Sequence, residues 1–190
     1  MISRKYLSDY RLEHIEGKKG RMKPKAVYIG DYFEFSMEEP VFRRTRLSLL
    51  VSTAALVCAF VFGLFMNAAS AHTMYVIGPD ACVMLPLAFQ IYSVFELFTV
   101  RPPMRRETAE GIKKRTVTST LFCAIFASAA LAGDAVFFTV LHDSLRMPGD
   151  ILFAVSLIVQ VVFSWLSFKA RGAAFFRKTE KSPDKAEKSS

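Results

Sequence analysis

Charge is what the long apolar stretches of this chain lack. Of its 190 residues 52% are hydrophobic, and positions 47–69, 81–95 and 116–133 contain no Asp, Glu, Lys or Arg. A helix on the surface of a soluble domain keeps one polar face, so segments that are apolar on every side exclude that setting and name lipid as their solvent. Cysteine is scarce as well. Cys58, Cys82 and Cys123 all fall in apolar runs, with no CxxC pair and no metal-ligand spacing. That excludes a disulfide framework, a dithiol redox centre and a structural metal site, and reads as three small buried side chains.

Catalytic signatures are missing too: there is no GxSxG, no HExxH and no phosphate loop. The one Ser, His and Asp grouping, His142-Asp143-Ser144, is contiguous, and neighbouring side chains cannot form a triad. The expectation is a protein that is not an enzyme and takes no cofactor. The 46 residues before the first apolar run are polar and lead to no small-residue cleavage pattern, so a removable signal peptide is not expected either.

Basic charge, by contrast, is abundant and sorted. Of the 25 Lys and Arg, 24 lie before Leu47, between Arg101 and Arg115, or from Lys169 onward, with Arg146 the exception. The net charge of +8 therefore marks alternate loops of a membrane chain rather than a nucleic-acid surface. A helix needs about 20 apolar residues to cross the hydrocarbon. Four segments qualify: 47–69, 80–100, 117–141 and 150–168. Gly78-Pro79-Asp80 and Pro148-Gly149-Asp150 read as turns whose acids cap the second and fourth spans, and Arg101-Pro102-Pro103 ends the second. Short loops rich in Lys and Arg stay cytoplasmic, so both termini and the 101–116 loop are expected inside a cell membrane.

Ahead of the spans, residues 9–16 and 26–36 are rich in Tyr, Val, Ile and Phe and flank Gly17-Lys18-Lys19-Gly20, the pattern of a β-hairpin over about 9–36. The expected fold is thus an all-α membrane protein, a four-transmembrane-helix bundle with a small N-terminal cytoplasmic β-hairpin. Its parts are an N-terminal segment 1–46, helical hairpins 47–100 and 117–170, a basic loop 101–116, and a basic disordered tail 171–190.

The two helical hairpins align without gaps at an offset of 70. His72, Asp80, Gln90 and Arg101 fall on His142, Asp150, Gln160 and Arg171, and nine identities lie within the 59 residues from Arg43 to Arg101. Such tandem hairpins would be related by a pseudo-twofold along the membrane normal. Ala59-xxx-Gly63 and Ala129-xxx-Gly133 then become equivalent small-xxx-small seams for close helix packing.

Few residues in the spans could carry chemistry. Gln90 and Gln160 each lie ten residues beyond a capping Asp, about 15 Å or half the hydrocarbon thickness, which places two amides at the midplane facing one another. Glu96 and Asp134 are the intramembrane acids, expected to pair near the interfaces with Arg101 or Arg105 and with Arg146 or His142. His72, Asp80, His142 and Asp150 form a repeated outer-face set whose spacing matches no metal-ligand pattern, so no metal is expected. Arg101, Arg105, Arg106, Lys113, Lys114, Arg115, Lys169, Arg171, Arg177 and Lys178 are placed to meet anionic lipid headgroups on the cytoplasmic face.

Of two functions, the first is the expected one and the second its alternative. The first is an accessory, assembly or scaffold subunit that works through helix packing and the cytoplasmic hairpin, with a membrane-protein partner or further copies of itself. The second is a small oligomeric transporter or channel, with its path lined by Gln90 and Gln160.

Overall fold

A computed structural model describes residues 4–16, 22–140 and 148–179. The chain is mainly helical, and four of its helices are long and apolar enough to cross a membrane. These are α1 (Glu39–Leu64), α2 (Met74–Thr99), α3 (Arg106–Val140) and α4 (Gly149–Ala170). Their outward faces carry large apolar side chains such as Phe62, Leu85, Ile125 and Val162, while fifteen polar or charged residues among those described are buried. In water that distribution would be inverted, and it is the one expected where hydrocarbon surrounds the bundle.

Five short strands precede and punctuate the helices. β1 (Tyr10–Glu16) and β2 (Met22–Tyr28) form the antiparallel hairpin, with Tyr10 opposite Tyr28. The second strand starts earlier than the sequence suggests. β3 (Tyr32–Phe35) belongs instead to a separate sheet, in the order β4-β3-β5, with β4 (Met104–Arg105) and β5 (Phe176–Thr179). This sheet draws one strand from before α1, one from between α2 and α3 and one from after α4. All three basic segments therefore meet at one end of the bundle, and residues 171–179, expected as a disordered tail, form a 3-10 turn and a paired strand.

Under that sheet, Phe35 stacks on Phe42 at 4.0 Å and, with Phe176, packs against Leu49, Leu97, Ile112 and Ala174. A middle layer joins Leu56, Phe60, Val83, Leu87 and Cys123, and an outer layer joins Ala68, Val76, Ala130, Phe153 and Leu157.

Two expected boundaries move. α3 begins at Arg106, so most of the basic 101–116 segment is helix rather than loop. α2 begins at Met74, six residues before Asp80, and carries Pro79 and Pro86 inside it. Pro79 cannot donate to the Tyr75 carbonyl one turn back. A neighbouring helix takes up that site: a Cβ on Gly133 would lie 2.5 Å from Tyr75 O, so only glycine lets α3 approach the freed carbonyl so closely. Asp80 is consequently a residue of the second turn and not a cap.

Candidate functional site

The principal crossings pair α1 with α4 and α2 with α3, and α4 also packs on α3. Along α4 the buried residues Ser156, Gln160, Ser164 and Ser167 recur at helical spacing and share an arc of about 80°. This polar stripe faces the bundle interior from the outer half to the basic end. It divides into two clusters.

At the basic end, Gln90 Nε2 donates to Thr53 Oγ1 at 2.7 Å and to Ser167 Oγ at 3.0 Å, and Ser167 passes the bond on to Ser52 Oγ at 2.8 Å. Ser93 is hydrogen-bonded to Thr116. These bonds join three helices through Gln90, Thr53 and Ser167, and they are the packing contacts expected of a buried amide in lipid.

Gln160 is placed otherwise. It lies seven residues, about 10 Å, from Ser167 along α4, so the two glutamines occupy different depths and do not face one another. Gln160 faces the carboxylate of Asp80 across the bundle. Both side chains are at most 1% exposed. Among the described residues none of their four polar atoms completes a hydrogen bond of normal geometry, and Ser164 Oγ, one turn further along α4, also lacks a partner there. Gly63 on α1 makes room for this group: a Cβ there would come within 3.0 Å of Ser156 Oγ and 3.8 Å of Gln160 Nε2.

Further out, Ser70 N donates to Asp150 Oδ1 at 3.2 Å, and Asp134 lies beside Ser70 and Asp150. Asp134 is 2% exposed and Asp150 fully buried. Asp150 stands in the first turn of α4 but does not cap it: Pro148 is the N-cap residue and the Asp150 carboxylate is turned to Ser70 N, while Gly149 lets α4 press against the Asn67 carbonyl.

The remaining expected site residues are placed as follows. Glu96 is ion-paired with Arg115 of α3, not with Arg101 or Arg105, and the Arg115 guanidinium lies 5.2 Å from the Tyr92 ring centre. Gly63 faces Ser156 of α4 and Ala59 is buried, whereas Ala129 is exposed and the buried line of α3 runs through Ala127 and Ala130. His72 is exposed while Asp80 and Asp150 are buried, so the outer-face set is not gathered at one surface; His142 and Arg146 lie outside the described residues. Of the cysteines, Cys123 alone is buried, and Cys58 and Cys82 look outward.

Among the basic residues, Arg101, Arg105, Lys113, Lys114, Lys169, Arg177 and Lys178 are exposed, and Arg106, Arg115 and Arg171 half-buried. Arg106 pairs with Glu110, Lys178 with Asp31, and Arg171 lies over Phe168 at 3.6 Å.

The offset of 70 does not carry into the register of these helix pairs. Gly63 meets Ser156, whose counterpart 70 residues earlier is Pro86, yet Gly133 meets Tyr75, eleven residues or about 16 Å from Pro86. No protein-family profile matches the chain, and no curated protein or solved structure is significantly similar to it. The functional reading rests on this geometry alone.

Sequence reasoning found Gln90, Gln160, Asp80 and Asp134 but missed their companions Ser52, Thr53, Ser156, Ser164 and Ser167. The signal was there in α4, where Ser, Gln, Ser and Ser recur at spacings of four, four and three in an otherwise apolar run.

Proposed function

We propose that this chain is a multi-pass protein of a cell membrane, its basic end in the cytoplasm, that conducts or transports a small polar solute or ion through the bundle interior. One observation carries the reading: Gln160 on the polar stripe of α4 and Asp80 facing it from α2 are buried within the membrane-spanning helices, with polar atoms that complete no hydrogen bond of normal geometry among the described residues. Each such group costs several kcal/mol in a dry apolar interior. A site that transiently admits water, a cation or a polar solute supplies the missing partners, and intramembrane acids are retained for such work. The cytoplasmic orientation rests on the clustering of Lys and Arg at that end.

The test is flux into proteoliposomes under imposed proton, Na⁺ or K⁺ gradients, comparing the native chain with Gln160→Leu and Asp80→Asn. Flux that is lost in variants retaining native helicity supports the proposal. Flux indistinguishable from that of empty liposomes for all three ions, or unchanged in both variants, defeats it.

A second reading, an accessory or assembly subunit, draws on the basic end. The β1–β2 hairpin forms its own two-stranded sheet, and it and its flank leave Leu12 71% and Ile29 59% exposed. Isolated hairpins are marginally stable and gain from a covering surface. Copurification of a stoichiometric partner that is lost on Leu12→Lys and Ile29→Lys substitution favours this reading.

A further inference from the structure

We propose that the outer groove between α2 and α3 holds one acyl chain of a phospholipid from the leaflet at the basic end, with its anionic headgroup held by Lys114. The groove is independent of the interior site. It encloses about 770 Å³ and is walled chiefly by Cys82, Leu85 and Phe89 of α2 and by Thr118, Phe122 and Phe126 of α3. Small residues at 82 and 118 between larger rings open the cleft. Pro86 on the same wall withholds a donor from the Cys82 carbonyl.

Dimensions and charge select the occupant. From Lys114 to Phe126 is twelve residues of α3, about 18 Å, a little over half of a hydrocarbon core of about 30 Å. One leaflet fits that length. An extended hydrocarbon chain can lie along an apolar slot of that length with its head at the basic mouth.

At the basic mouth Arg115 is already engaged by Glu96 and Tyr92, whereas Lys114 is exposed and forms no ion pair among the described residues. A flexible ammonium at headgroup level beside an apolar slot matches a phosphate ester followed by an acyl tail.

Cys82 supplies the probe, because it lines the groove and is exposed while Cys123 is buried. In the Cys58→Ser chain, purified in mild detergent, the rate of N-ethylmaleimide modification reports on Cys82. Added phosphatidylglycerol is expected to slow that rate about tenfold at concentrations where phosphatidylcholine with the same acyl chains does little. Lys114→Glu should abolish the difference. Thr118→Trp should slow the reaction without lipid, and native mass spectrometry should show one retained phosphatidylglycerol per native chain and none in either variant. Equal protection by the two lipids, protection that survives Lys114→Glu, or Cys82 disulfides between chains with no lipid retained would overturn the proposal, the last by making the groove an interface between copies.

Discussion

Gln160 of α4 faces the carboxylate of Asp80 on α2 inside the bundle, and the pair is left without a completed hydrogen bond between the two helices that hold it. Removing one member should be worse than removing both. Asp80→Leu or Gln160→Leu alone takes away the polar group that the other faces, at about 1–3 kcal/mol, whereas the double substitution exchanges two poorly satisfied buried polar groups for two apolar ones at little cost or with a gain. Unfolding in mixed micelles, followed by helicity, measures the cycle. Additive losses would show that the two side chains do not interact.

Gln90 should behave in the opposite way. Its amide nitrogen bridges Thr53 and Ser167, so Gln90→Leu is expected to destabilise the bundle by about 1–2 kcal/mol and to leave flux in the surviving folded protein unchanged. Loss of flux without loss of stability would put Gln90 on the path instead.

Three glycines form a graded series. At Gly133 a Cβ meets the Tyr75 carbonyl at 2.5 Å, at Gly63 it meets the movable Ser156 hydroxyl at 3.0 Å, and at Gly78 it meets nothing within 4 Å. Gly133→Ala should therefore force α2 and α3 apart and cost the most. Gly63→Ala should cost less, and Gly78→Ala, inside α2, should gain about 0.5–1 kcal/mol from helix propensity. Thermal unfolding midpoints in one detergent rank the three.

Because β3, β4 and β5 share one sheet, single cysteines at Ser36, Arg105 and Lys178 in a chain without native cysteines should react with an impermeant maleimide from the same side of the membrane, and one at His72 from the other. A reporter at Arg105 on the side of His72 would contradict the four-span arrangement.

Tyr28 makes the sheet end sensitive to alkali. Its hydroxyl donates to Asp31 O at 2.7 Å and accepts from Arg106 N, and burial pushes the phenol up from its ordinary value against the opposing effect of the Arg106 N–H. A folded value above the unfolded one means that the stabilisation is fully present below about pH 10 and is lost as pH rises through the folded value. In an ultraviolet titration, Tyr28→Phe should remove a component that ionises above the ordinary tyrosine value, and with it the alkaline loosening of the hairpin.

Some of this was written in the residues taken one after another. Uncharged runs of about 20 residues can only be satisfied in lipid when each backbone group bonds within its own helix, so four helices and their alternation followed from composition and position. The clustering of Lys and Arg likewise implied that three segments share an end, which the β4-β3-β5 sheet joins. Other features belonged to tertiary structure. Pro79 looked like a helix start because a lone helix cannot absorb its missing donor, and it became interior because Gly133 of α3 lies against the freed Tyr75 carbonyl. The register of α2 against α3 followed from that contact, and with it the fate of two similar amides. Gln90 found hydroxyls on two neighbouring helices, while Gln160 met a carboxylate. Linear spacing assigns a residue its depth along one helix, but only the sliding of helices past one another decides what lies across from it.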